Sequence, residues 1–187
     1  MIKLIIEDDK IKTIKEKFNL VFDINKELPE NVLKNNSYGI CFFEFDQYFS
    51  TEEFFELINK ISKKEFYFLI IHMGYDLIFT CDKIVNFDEW NNFLESDIKI
   101  EIYSIEIDWV WKVFSDKCIL IDSDLKWGYF HINDQPNLFI FQKQYRDLIF
   151  ETSEALTPEN TVDLFGCYES PKVKNKLQSE FRKNYIK

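Results

Sequence analysis

Phe66-Tyr-Phe-Leu-Ile-Ile71 constrains this chain more than any other segment. Six apolar residues in a row, with neither a helical nor an alternating period, fit a strand whose two faces are both covered. The run is far below the roughly 20 residues that a helix needs to cross a bilayer. Just before it, Ser50 and Glu53 have the form of a capping box, and Phe54, Ile58 and Ile61 fall on one helical face. Tyr38 to Asp46 reads as a strand. The first half therefore predicts a strand–helix–strand unit.

Ile2 to Ile6 reads as a first strand, and Ile11, Ile14 and Phe18 form the stripe of a short helix. Pro29, Asn31, Asn35 and Asn36 make Leu28 to Ser37 a loop. Leu77 to Cys81 is a further strand, and Asn86 with Glu89 opens a helix bearing Trp90, Phe93 and Leu94. Ile98, Ile100 and Ile102 then alternate. The phase slips by one residue before Ile105, Ile107, Trp109 and Trp111, which predicts a bulge near Tyr103 and Ser104. Turns at Ser115-Asp116-Lys117 and Ser123-Asp124-Leu125-Lys126 would join Trp109–Phe114, Cys118–Asp122 and Trp127–Ile132 into an antiparallel meander. After Pro136 the signal weakens, with Tyr145, Leu148, Ile149 and Thr152 marking a helix. Ser170-Pro171 begins a last one along Val173, Leu177, Phe181 and Tyr185.

These elements predict a single α+β domain over residues 1–187: a mainly antiparallel, twisted sheet with helices packed on one face. Residues 171–187 form a basic C-terminal helix docked on it. That segment holds Lys172, Lys174, Lys176, Arg182, Lys183 and Lys187 against Glu180 alone. The whole chain carries 23 basic and 33 acidic residues, a net charge of −10. The body is thus more acidic than the total suggests, and the helix is expected to set its basic face against that body.

Acidity excludes a general nucleic-acid binder, because counterion release needs clustered Lys and Arg against phosphate. It also argues against an anionic membrane surface as partner. An aromatic content of 18% excludes a disordered chain. Cys41, Cys81, Cys118 and Cys167 are widely spaced, with no paired metal-ligand pattern, and read as reduced thiols of a cytosolic protein.

Catalytic patterns are equally sparse. His72 and His131 both sit in apolar segments, where a histidine is expected to be structural. Gly39, Gly74, Gly128 and Gly166 are too scattered for a phosphate-cradling loop. One catalytic arrangement remains: a metal-dependent nuclease using Asp108 or Asp116 with Asp122, Asp124 and Lys126, two carboxylates holding Mg²⁺ while lysine orients water. A negative body is a poor platform for its substrate.

The Trp- and Asp-rich stretches Ile107-Asp-Trp-Val-Trp111 and Asp124-Leu-Lys-Trp-Gly-Tyr129 give the chain a family likeness. In these hairpins, in size, in acidity and in its AT-rich bacterial composition (Ala155 is the only alanine), it resembles the cytosolic immunity proteins of bacterial polymorphic-toxin and contact-dependent growth inhibition systems. The resemblance implies a cytoplasmic, non-enzymatic protein that neutralises one cognate toxin domain by covering or distorting its active site. No cofactor, metal, nucleic acid or membrane enters this reading. A phage-encoded anti-defence inhibitor would present the same surface.

The chemistry of such contacts, carboxylates around aromatic anchors, selects Asp116, Asp122, Asp124 and Asp134 in the turns, with Trp127 and Tyr129 beside them. The acids would equally serve to solvate hairpin tips, and the aromatics to fill the core.

Overall fold

A computed structural model describes residues 2–35, 37–44, 48–72, 74–81, 86–100, 105–108, 117–132 and 135–186. In chain order its elements are β1 (Ile2–Leu4), α1 (Asp8–Val21), β2 (Tyr38–Phe43), α2 (Glu52–Ile61), β3 (Phe66–His72), β4 (Tyr75–Cys81) and α3 (Phe87–Glu95). Next come β5 (Ile98–Ile100), β6 (Ile105–Ile107), β7 (Lys117–Asp122), β8 (Trp127–Ile132) and β9 (Asn137–Gln142). The helices α4 (Arg146–Thr152), α5 (Pro158–Thr161) and α6 (Pro171–Tyr185) complete the chain.

Seven strands form one sheet in the order β1-β4-β3-β7-β8-β9-β2, with every neighbouring pair antiparallel. The fold is α+β, mostly sheet with helices. β3 lies near the middle, where an uninterrupted apolar run belongs. Its side chains alternate between two cores: Phe66, Phe68 and Ile70 enter one, Tyr67 and Leu69 the other. The expectation of helices on one face is therefore corrected. On one face α2, α3 and α4 contribute Phe54, Phe55, Trp90, Leu94 and Ile149. On the other, α1 and α6 contribute Ile14, Phe18, Val21, Phe181 and Tyr185. A strand buried on both faces needs cover on both, at about 1.5–3 kcal/mol per large apolar side chain removed from water.

Four antiparallel steps separate β2 from β3, so the two run parallel across the width of the sheet. α2 makes this crossover on one face, and α1 carries the chain from β1 to β2 on the other. The strand–helix–strand unit exists, but its strands are not neighbours.

Local signals place the helix starts with small offsets. Thr51, not Ser50, caps α2: its hydroxyl accepts the Phe54 N–H at 3.3 Å. Asn86 Oδ1 accepts the Glu89 N–H at 2.8 Å to open α3, whose Trp90 Nε1 donates to the Phe49 carbonyl at 3.0 Å. Pro171 occupies the first turn of α6. The β3–β4 turn contains Gly74 at φ +84°, a conformation that favours glycine.

The phase slip after Ile100 is also corrected. β5 pairs antiparallel with β6, Ile98 opposite Ile107, so the slip marks a reversal of the chain instead of a bulge in one strand. Residues Tyr103, Ser104 and the expected strand Trp109–Phe114 lie outside the described residues. The meander is β7-β8-β9, one strand later than expected. Cys41, Cys81 and Cys118 are buried and Cys167 is exposed, all as free thiols. Among the described residues, no helix is long and apolar enough to cross a membrane.

An acidic cleft as candidate functional site

The β7–β8 hairpin does not present the cluster that its sequence suggests. Asp122 is wholly buried, and its Oδ2 accepts the backbone N–H groups of Asp124 at 3.2 Å and Lys126 at 3.1 Å. This carboxylate clasps a turn that also holds Leu125 at φ +56°. Trp127 and Tyr129 are buried in the core beneath α2, with Phe54 edge-on to both rings. All six residues of β8 are buried, because helices cover both faces of that strand. Among the described candidates, Asp124 alone is exposed. Asp116 and Asp134 lie outside the described residues. The assignment of Asp122, Trp127 and Tyr129 as surface contacts is therefore corrected. Among the described residues, no three His, Cys, Asp or Glu side chains converge as ligands for a metal ion.

The basic helix also docks differently from the expectation. Phe181 and Tyr185 anchor α6 by stacking and by edge contacts to Phe42. The Tyr185 hydroxyl donates to the Glu30 carbonyl at 2.6 Å and accepts the Val32 N–H at 3.1 Å. Lys172, Lys176, Arg182 and Lys183 are exposed, with no ion pair among the described residues. Aromatic packing, not charge, holds this helix.

An acidic cleft instead forms where β2 ends, α2 begins and α4 ends. Phe43, Tyr48, Thr51, Glu53, Glu151 and Glu154 line it, together with Thr152 and Ser153, and its volume is about 560 Å³, within the usual range for ligand pockets. Local chemistry builds each wall. A 3₁₀ turn at Tyr48–Ser50 leads into α2, and the Thr51 hydroxyl donates to the Tyr48 carbonyl at 2.8 Å. At the far wall, the hydroxyls of Thr152 and Ser153 donate to the Leu148 and Ile149 carbonyls, both at 2.7 Å, and end α4. The chain then bridges to the outer edge of β2: Leu156 and Phe42 exchange backbone hydrogen bonds of 2.7 and 2.9 Å. This bridge brings Glu154 beside Phe43. The carbonyl end of α4 adds partial negative charge to the same wall.

Tyr48 is the unusual member. Its ring stacks on Phe43 with centroids 3.8 Å apart, and Phe54 meets it edge-on at 5.7 Å. The residue is only 6% exposed, and its hydroxyl has no hydrogen-bond partner among the described residues. Burial chiefly, then Cys41 and the carboxylates of Glu53 and Glu154, push its pKa well above the ordinary phenol value. The hydroxyl itself is closed off from solvent within this aromatic packing. Glu53, Glu151 and Glu154 have no cation within ion-pair distance among the described residues.

A second cleft, about 490 Å³ between β1 and α1, mixes charges instead. Its Lys10 pairs with Glu7 at 2.8 Å, and its Lys17 lies over the Tyr67 ring at 5.2 Å. Nothing in composition distinguished the acidic cleft, because its walls come from opposite halves of the chain. The one local signal is the acid-rich Glu151-Thr-Ser-Glu154 beside a helix end. Comparison with protein-family models, with curated proteins and with solved structures yields no match for this chain.

Proposed function

We propose that this chain is a cytoplasmic, non-enzymatic binding protein that neutralises a basic toxin domain, in the manner of bacterial immunity proteins. One observation carries the reading: a cleft walled by three glutamates that lack cationic partners among the described residues, on a chain of net charge −10. Unpaired carboxylates around a concave surface supply the field that speeds encounter with a positive protein. Nuclease toxins are positive because they grip phosphates. The binding surface is thus moved from the β7–β8 hairpin to the cleft, with Asp124 left as a peripheral charge.

The test is co-expression with the toxin domain encoded by the neighbouring gene. Growth rescue and a purified one-to-one complex are expected with the parent chain. The double charge reversal Glu53→Lys/Glu154→Lys should slow association about tenfold at low salt and less at high salt. Absence of both rescue and complex overturns the proposal.

A further inference from the structure

The fold treats the two edges of its sheet differently. The outer side of β2 is met by Leu156, which exchanges backbone hydrogen bonds with Phe42. Among the described residues, no strand or bridge meets the outer side of β1. Ile5 donates its N–H inward to the Ile78 carbonyl at 2.8 Å. By the two-residue period of a strand, Lys3 also faces β4, and the main-chain groups of Ile2, Leu4 and Ile6 point outward. A cleft opens on each face beside this edge, and Leu4 lines both. The cleft between β1 and α1 is charged, with Lys3, Glu7, Asp9, Lys10 and Lys17. The other, about 530 Å³, is largely apolar, with Ile2, Leu4, Phe79, Phe93 and Ile98. An added strand sends alternate side chains to opposite faces, so the one that fits here alternates apolar with charged residues.

We infer that this edge receives β1 of a second copy of the chain, joining two sheets into one across a two-fold axis at Leu4. The strand has the alternation that the edge asks for: Ile2, Leu4 and Ile6 fall on one face, Lys3, Ile5 and Glu7 on the other. The backbone is still extended at Glu7, with φ −81° and ψ 118°. In the antiparallel register centred on Leu4, Leu4 opposes its own copy and Ile2 opposes Ile6. All the outward main-chain groups of these residues then find partners. Ile6, which is 58% exposed, gains an apolar neighbour that the single chain does not give it. On the opposite face, Lys3 of each copy stands diagonal to Glu7 of the other, within reach of long side chains. The edge is thus complementary to itself in hydrogen bonding, apolar surface and charge. An open apolar edge is a hazard that folded proteins blunt or use, and Lys3 is the one charge between Ile2 and Ile6. This inference does not depend on the proposed function.

The test is sedimentation velocity on the full chain over a concentration series, with backbone amide exchange measured by NMR on the same samples. About 0.15 M salt screens the repulsion between two bodies of net charge −10. The 22.7 kDa chain should pass to a dimer with a micromolar Kd, as suits a small interface. Exchange at Leu4 and Ile6 should slow as the dimer forms, while Ile5, already bonded to β4, should not change. Ile6→Lys alters an exposed side chain and should weaken the dimer about tenfold. Lys3→Glu should weaken it about fivefold, since each copy then sets two acids diagonally, and adding Glu7→Lys should restore it. This rescue keeps the test decisive if Ile6→Lys fails to fold. A chain that stays monomeric up to about 1 mM, or a dimer without slowed exchange at Leu4, overturns the inference. So does a dimer that neither charge reversal nor its rescue alters. Slowed exchange at Leu4 only after a toxin domain is added would assign the edge to that partner and overturn the second copy.

Discussion

The Asp122 carboxylate accepts the Lys126 backbone N–H at 3.1 Å from a position with no solvent exposure. A residue that looks like a surface charge in the sequence is a structural clasp. Asp122→Ala should cost about 1–3 kcal/mol, because backbone donors lose a charged acceptor. Asp124→Ala, on the exposed tip, should stay within about 0.5 kcal/mol of the parent. Urea unfolding of the two variants checks this; equal midpoints would refute the clasp.

The ring of Phe141 covers Gly39 on the adjacent strand. A Cβ at Gly39 would lie 2.8 Å from Phe141 Cζ. Gly39→Ala is expected to destabilise by about 1–3 kcal/mol through overpacking. Phe141→Leu should itself be destabilising, yet reduce the cost of the alanine when combined. A double-mutant cycle reads the coupling, and strict additivity would count against the contact.

Stability should fall on the alkaline side. Burial raises the pKa values of the Cys41 and Cys118 thiols and of the Tyr185 phenol above their ordinary values. A group raised in the folded state contributes fully below its unfolded pKa and loses that contribution as pH rises toward the folded value. The loss should therefore begin near pH 9 for the thiols and near pH 10 for the phenol, each group adding a slope of about 1.4 kcal/mol per pH unit. Urea midpoints at neutral pH and in steps to pH 11 measure it, and Tyr185→Phe should flatten the upper part of the curve.

Lys117 is buried, and its Nζ donates to the carbonyls of Ile24 and Lys26 at 2.9 and 2.8 Å. It ties the loop after α1 to the sheet. Lys117→Met preserves the stem and removes both bonds, so a loss of about 1–3 kcal/mol is expected. Limited proteolysis should then cut first within residues 23–31. An unchanged cleavage pattern would show that the loop is held by other contacts.

Elements specified by neighbouring residues were legible in the sequence. The unbroken run of β3, the Asn86 cap of α3 and the Ser170-Pro171 start of α6 each carry a local physical signal. Thr51 displaces Ser50 as the α2 cap by one residue, since both hydroxyl side chains suit the position. What escaped the sequence is tertiary. Trp127 and Tyr129 look amphipathic until α2 is seen to lie over them, and Asp122 looks solvated until its turn closes on it. The strand β9 was missed because its run Leu138-Phe-Ile-Phe141 follows a weak stretch after Pro136. Tyr48 and Glu154 share a cleft only because Leu156 bridges to Phe42, and no spacing rule foretells that pairing.

That bridge belongs to an edge strand with a long wait. β2 takes β9 as its ladder partner, Tyr38 opposite Gln142 and Phe43 opposite Asn137. A nascent polypeptide leaving the ribosome must carry Phe42 and Phe43 without their ladder partners until β9, the last strand of the sheet, has emerged. Such distant pairing slows folding and leaves sticky segments open to chaperones. The cleft would therefore assemble in one late step, and a ribosome stalled before Asn137 would hold a chain without it.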